Sequence, residues 1–159
     1  MMELQADFSI PESVRGTVVT VGVFDGVHLG HQHLLKSVNL AARRRKLSAA
    51  VLTFRNHPRS VLNPDHSVQW LTSLDDRVAL ISAAGIQHIA VANFTRDFSL
   101  MTAEEFVAEL KKSLKMVHMV VGPNFAMGYR REGTFSVLRK LGLQNTFTIE
   151  QIAAFEINE

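Results

Sequence analysis

Cysteine is absent from this chain of 159 residues. That excludes a disulfide framework, thiolate catalysis and cysteine-ligated metal, and it fits a reducing compartment. An excess of one charge is also missing. The 17 Lys and Arg against 15 Asp and Glu leave a formal charge of +2, too balanced for the broad basic face that nucleic-acid binding requires. No run of about 18 apolar residues occurs, and Met1 to Gly16, carrying Glu3, Asp7 and Glu12, has no apolar segment of the kind an export signal needs. The expectation is a cytoplasmic protein with small-molecule partners, and neither nucleic acid nor membrane among them. What is present is apolar material: at 47% hydrophobic, the chain can form one domain that buries roughly 70% of its unfolded surface.

Strands and helices alternate along it. Thr17 to Val21 is a β-branched strand, and Leu34, Leu35, Val38, Ala41 and Ala42 form the core-facing stripe of a helix over 30–45. Arg43-Arg44-Arg45-Lys46 suits that helix's C-terminus, where cations meet the negative end of the dipole. Leu47 to Phe54 is a second strand. Arg55 to Gln69, with Pro58 and Pro64, is expected to lack regular structure and to act as a substrate flap. Ser73 caps a helix over 74–84, His88 to Asn93 is a third strand, and Thr102-Ala103-Glu104-Glu105 is a capping box for a helix to about Lys112. Met116 to Val121 is a fourth strand. A glycine-bearing loop over 122–133, a short helix over 135–141 and a strand over 146–151 follow. This is the pattern of an α/β domain, a Rossmann-like parallel sheet with helices on both faces. The turns at 22–31, 53–58 and 122–133 each follow a strand, so all three should open on one sheet edge.

The segment Gly22-Val23-Phe24-Asp25-Gly26-Val27-His28-Leu29-Gly30-His31 joins a strand, a glycine turn and a helix start. Helix N-termini offer unpaired amides and partial positive charge, so this turn should attract an anion. Residues three apart share a helix face, which aims His28 and His31 at the same point. Gly30 between them should keep the approach open. Neither a P-loop nor G-x-G-x-x-G is present. No H-E-x-x-H accompanies His28, His31 and His33, so a metal site is not expected. Asp25 either shapes the turn or contacts a metal, and Asn124 is either a turn residue or a binding residue.

His28-Leu29-Gly30-His31 after the first strand resembles the H-x-G-H signature of nucleotidylyltransferases. The longer string from Gly16 to Leu35 resembles the first motif of the bacterial FAD synthetase domain of bifunctional riboflavin kinase/FAD synthetase. Thr53-Phe54-Arg55-Asn56-His57-Pro58 is similar to that family's T-F-x-P-H-P. The stretch from Val120 to Gly133 is similar to its V-V-G-x-[DN]-F-x-F-G-x-x-R-x-G. Asn56 and Met127 depart from the pattern, where the family usually has proline and phenylalanine.

The resemblance implies a nucleotidylyltransferase fold and adenylyl transfer from ATP to FMN, giving FAD and pyrophosphate. It makes His28 and His31 the catalytic pair. It places Gly22, Phe24, Asp25, Gly26 and Gly30 in the first loop, and Asn124, Gly128 and Arg130 in the second, on the nucleotide. Thr53, His57, Pro58 and Phe125 fall on the flavin side, although Phe125 and Met127 also read as packing residues. Arg130 or Arg131 would neutralise phosphate. Mg²⁺ is expected on the triphosphate, held by phosphate oxygens and water. The alternatives are a non-flavin acceptor, or a flavin or adenine-nucleotide binding module with little turnover. The chain stops at Phe155-Glu156-Ile157-Asn158-Glu159, where the family continues into a Ser-Ser-Thr-x-Ile-Arg motif and a riboflavin kinase domain. A single domain over 1–159, truncated at its C-terminus or a short relative, is therefore expected.

Overall fold

Successive side chains of a strand face opposite sides of a sheet, and in this chain both sides are apolar. Val18, Ala49, Val51 and Val120 face one way, while Val19, Val21, Ala50, Leu52, Met119 and Val121 face the other. A sheet buried on both faces needs helices on both, and the computed structural model shows that arrangement for residues 2–4, 8–65 and 68–154. In chain order the elements are β1 (Thr17–Val21), α1 (Leu29–Arg45), β2 (Ser48–Phe54), α2 (Pro58–Leu62), α3 (Leu74–Ala83), β3 (His88–Ala92), α4 (Arg96–Ser99), α5 (Ala103–Leu114), β4 (Met116–Val121), β5 (Ala126–Met127), β6 (Gly133–Thr134), α6 (Phe135–Asn145) and β7 (Thr148–Gln151).

The main sheet has the order β3-β2-β1-β4-β7, and every pairing in it is parallel. From β1 the chain winds outward through α1 and α3 on one face. It then crosses on the other face, through α5, to β4 on the far side of β1. The order therefore reverses between β1 and β4, the crevice where doubly wound sheets bind ligands. Leu35, Val38, Ala41 and Ile81 pack α1 and α3 onto the first face. Phe106, Val107, Leu110, Leu114 and Leu138 pack α5 and α6 onto the second. Leu110 is completely buried, so Leu110→Ala should cost about 2–5 kcal/mol of stability.

Helix starts follow the sequence signals. Ser73 Oγ accepts from the Asp76 amide at 3.1 Å, and Thr102 and Glu105 close the capping box on α5. Three expectations are corrected. The stretch 55–69 is not devoid of regular structure, because Pro58 opens α2 as its first residue, the one helical position where a missing N–H and a fixed φ cost nothing. Residues 66 and 67 lie outside the described residues. The loop over 122–133 contains an antiparallel pair, β5 with β6. Finally, α6 runs on to Asn145, whose side-chain amide donates to Leu141 O at 2.9 Å. Its last turn buries only Gly142 and leaves Leu143 86% exposed, so no apolar stripe announces it. The expectation about the chain end, Phe155 to Glu159, also lies outside the described residues.

Candidate active site

The turn leaving β1 is wound tightly. Phe24, Gly26 and Val27 have φ of 57°, 77° and 41°, and a β-branched residue at positive φ persists only when its surroundings force it. The Asp25 carboxylate supplies that force. It accepts from the Leu71 amide at 2.9 Å, the Thr72 amide at 3.0 Å and the Thr72 hydroxyl at 3.0 Å, while the Gly26 amide donates to the same hydroxyl at 3.2 Å. Burial would raise the Asp25 pKa, but these donors, aided by the charge of Arg77, outweigh it and hold the carboxyl below its ordinary value. Of the two readings the sequence left open for Asp25, this geometry supports turn shaping. Among the described residues no group of three or more His, Asp or Glu is placed to hold a metal ion.

His28 is the N-cap of α1. Its Nδ1 accepts from the amides of Gly30 at 3.1 Å and His31 at 3.4 Å. An accepting Nδ1 puts the proton of the neutral ring on Nε2, so the exposed imidazole presents a single outward donor. Four of the amides expected to greet an anion are thus already engaged: those of Gly30 and His31 by His28, that of Gly26 by Thr72, and that of Val27 by Phe24 O at 3.2 Å. Gly30 has a packing reason as well. A Cβ there would lie 3.0 Å from His28 Cε1, so its glycine makes room for the capping ring. His31 stacks on His28 at 3.7 Å between centroids and meets Phe24 at 5.0 Å. Burial first, and His28 second, push its pKa down to about 4, so it is neutral near pH 7, and its Nδ1 is buried without a partner.

Beside this turn lies a cavity of about 670 Å³. Its walls come from four of the five strand exits on this edge: Val21, Gly22 and Val23 at the end of β1, Phe54 and Pro58 around β2, Phe94 after β3, and Phe125 to Arg131 after β4. The floor is apolar, and Arg96, Arg130 and Arg131 stand at its rim without a carboxylate among the lining residues. The second loop is pinned to the start of α5. The Tyr129 amide donates to Met101 O at 2.8 Å and the Ala103 amide to Glu132 Oε1 at 2.9 Å. Gly128, at φ 81°, passes so close that a Cβ would lie 2.7 Å from Ala103 N.

The expected site residues therefore divide. Gly22, Pro58, Phe125, Gly128 and Arg130 line the cavity. Thr53 does not reach it: the residue is completely buried, and its hydroxyl donates to Val23 O at 3.0 Å. Its hydroxyl, beneath a strand exit, holds the backbone. Phe24 is likewise buried, as a packing partner of His31. His57 caps α2 through Nδ1, accepting from the Arg59 amide at 3.1 Å, and tilts against Trp70 at 5.3 Å. Asn124, at φ 62°, offers its carbonyl to Arg131 Nη2 at 3.1 Å. Sequence reasoning missed Val61 and Leu62 of α2 and Phe94, Arg96 and Phe98 around α4. The signal available was a pair of phenylalanines four apart immediately after a strand.

A parallel sheet with its switch point at a histidine-capped helix and an apolar cavity defines a doubly wound α/β domain with a ligand crevice. The family comparison is specific: the FAD synthetase profile matches residues 10–159, and the chain belongs to that family. Bifunctional riboflavin kinase/FMN adenylyltransferase of Escherichia coli K12 is 33% identical over 142 residues, covering 89% of this chain and 45% of the relative. The protein of the same description from Listeria monocytogenes is 37% identical over 124 residues, covering 77% and 40%. The chain thus spans less than half the length of these relatives. A solved Streptococcus pneumoniae structure, described as a macrolide-efflux protein, superposes with a TM-score of 0.80 at 27% identity, covering 98% of this chain and 51% of that one.

Proposed function

We propose that this domain transfers the adenylyl group of ATP to FMN. The observation that carries the reading is continuity: Val21 to Val23 wall the apolar cavity, and the next residues form the turn that presents His28. A ring system in the cavity and a polyphosphate at the turn would meet at the exit of β1. FMN has this shape, an apolar ring joined to a phosphate, and arginines at a cavity rim without carboxylates suit its charge.

A phosphate monoester with a second pKa near 6 is largely dianionic at neutral pH, so the nucleophile needs no strong base. One of its oxygens attacks the α-phosphorus of ATP, the new P–O bond forms as the bond to the β-phosphate's bridging oxygen breaks, and pyrophosphate leaves with the electron pair. The protein's contribution is placement and charge stabilisation. His28 Nε2–H donates to the phosphate oxygens as charge accumulates there, and neutral His31 backs the ring by stacking. Arg130 holds the FMN phosphate. A divalent cation bound with ATP would neutralise triphosphate charge. Asp25 is committed to the turn, so such a cation would be held by phosphate oxygens and water, as Mg²⁺ commonly is. Pyrophosphate release with FMN and ATP, run beside calorimetric titrations of FMN, FAD and ATP, tests the reading. FAD formation is expected. Transfer only to a non-flavin acceptor, or binding without pyrophosphate, would replace it.

A further inference from the structure

Arg77, on α3, is 1% exposed, and among the described residues the only ion pair is His118 with Glu150. A cation buried without a carboxylate in contact is costly, and an apolar residue of equal volume would usually serve stability better. Its guanidinium instead joins two backbones. Nη1 donates to Val23 O at 2.9 Å and Nη2 to Phe54 O at 2.8 Å, while Trp70 lies against it at 4.3 Å. Val23 lies two residues beyond the end of β1 and Phe54 is the last residue of β2, and both line the cavity. Val23 leads into the His28 turn and Phe54 into the segment of His57 and Pro58.

We infer that Arg77 is a positioning residue whose forked guanidinium ties the exits of β1 and β2 together from behind, fixing the nucleotide turn relative to the cavity. For the reaction, this rests on the function proposed above. Each half-site would survive loss of the tie, but their relative placement would not, and small misplacements of reacting groups cost about 10²-fold in rate. A lysine ammonium retains the charge without the planar fork that reaches two carbonyls.

The test uses the intact chain as wild type, Arg77→Met, Arg77→Lys and, as a control that weakens α3 at its cap only, Ser73→Ala. Hydrogen exchange is followed at the Gly22 amide, bonded to Leu52 O, and the Arg55 amide, bonded to Ala92 O. Both are expected to exchange about tenfold faster in the two Arg77 variants and to keep the wild-type rate in Ser73→Ala. With FMN and ATP, kcat should fall about 10²-fold in both Arg77 variants while each KM stays within about threefold. Acceleration at one amide only, an equal effect in Ser73→Ala, or wild-type exchange and kcat in Arg77→Lys would overturn the tie. If Arg77→Met does not fold, Arg77→Lys decides. If the wild type makes no FAD, the functional reading falls, while the exchange rates still decide the role of Arg77.

Discussion

Two turns on the carboxyl edge of the sheet use the same device for different ends. After β1, His28 caps α1 through Nδ1; after β2, His57 caps α2 through Nδ1. The helices behind them differ. α1 has 17 residues and sets Leu35, Val38, Ala41 and Ala42 into the core, whereas α2 has 5 residues and buries none. A histidine on a long, packed helix is held in place by the core beneath it. One on a short helix that buries nothing has no such backing. Capping geometry alone therefore does not distinguish the two histidines; the packing of the capped helix does, and under the proposed function it singles out His28.

Substitutions can break that comparison. The largest effect is expected at His28, where His28→Ala should lower turnover about 10²-fold or more, the scale of losing one preorganised donor, while His57→Ala changes turnover far less. Asparagine sharpens the point. His28→Asn can still accept from the helix amides and should recover most of the roughly 1 kcal/mol expected of a lost cap, yet turnover should stay low. Thermal unfolding and pyrophosphate release on the same samples separate the two roles.

Next in size is the cavity. Phe125→Ala should raise the KM for FMN about tenfold, from about 1–2 kcal/mol of lost apolar contact, with kcat little changed. Thr53→Val should leave that KM alone and instead cost about 1 kcal/mol of stability, because its hydroxyl serves Val23 O and not a ligand.

The smallest effects are in pH dependence. Burial lowers His31 to about 4 from an ordinary 6.5. Unfolding restores the ordinary value, so below pH 6.5 the unfolded chain takes up a proton that the folded one refuses. The stabilisation is complete above that value and is lost as the pH falls towards 4. His31→Gln should flatten denaturation midpoints across that window. His57 is shifted in the same direction, by burial and then Arg59, and His57→Gln should flatten them less.

Most of the architecture could be read along the chain because its helices carry caps and stripes and its strands are almost wholly apolar. α2 and α4 could not, since helices of 5 and 4 residues leave no periodicity to find. The histidines and the glycine turn were legible as a local pattern. The partners of Asp25, 46 and 47 residues away, and the reach of Arg77 to two strand ends were not, because a side chain's long-range acceptor leaves no trace in neighbouring residues. The same limit explains Thr53. Its place in a motif was plain, but only the packed sheet shows that its hydroxyl points beneath the strand exit.

Under the proposed function the His28 turn and the apolar cavity are two halves of one site, which FAD, carrying both an adenylate and a flavin, should span. Titration of the ¹⁵N-labelled chain with FAD, followed by amide chemical shifts, tests this most directly. Shifts are expected to move together, at one Kd, in 22–31, in 58–62 and in 125–131. Movement confined to one of these groups, or centred on the distant His118–Thr148–Glu150 cluster, would contradict it.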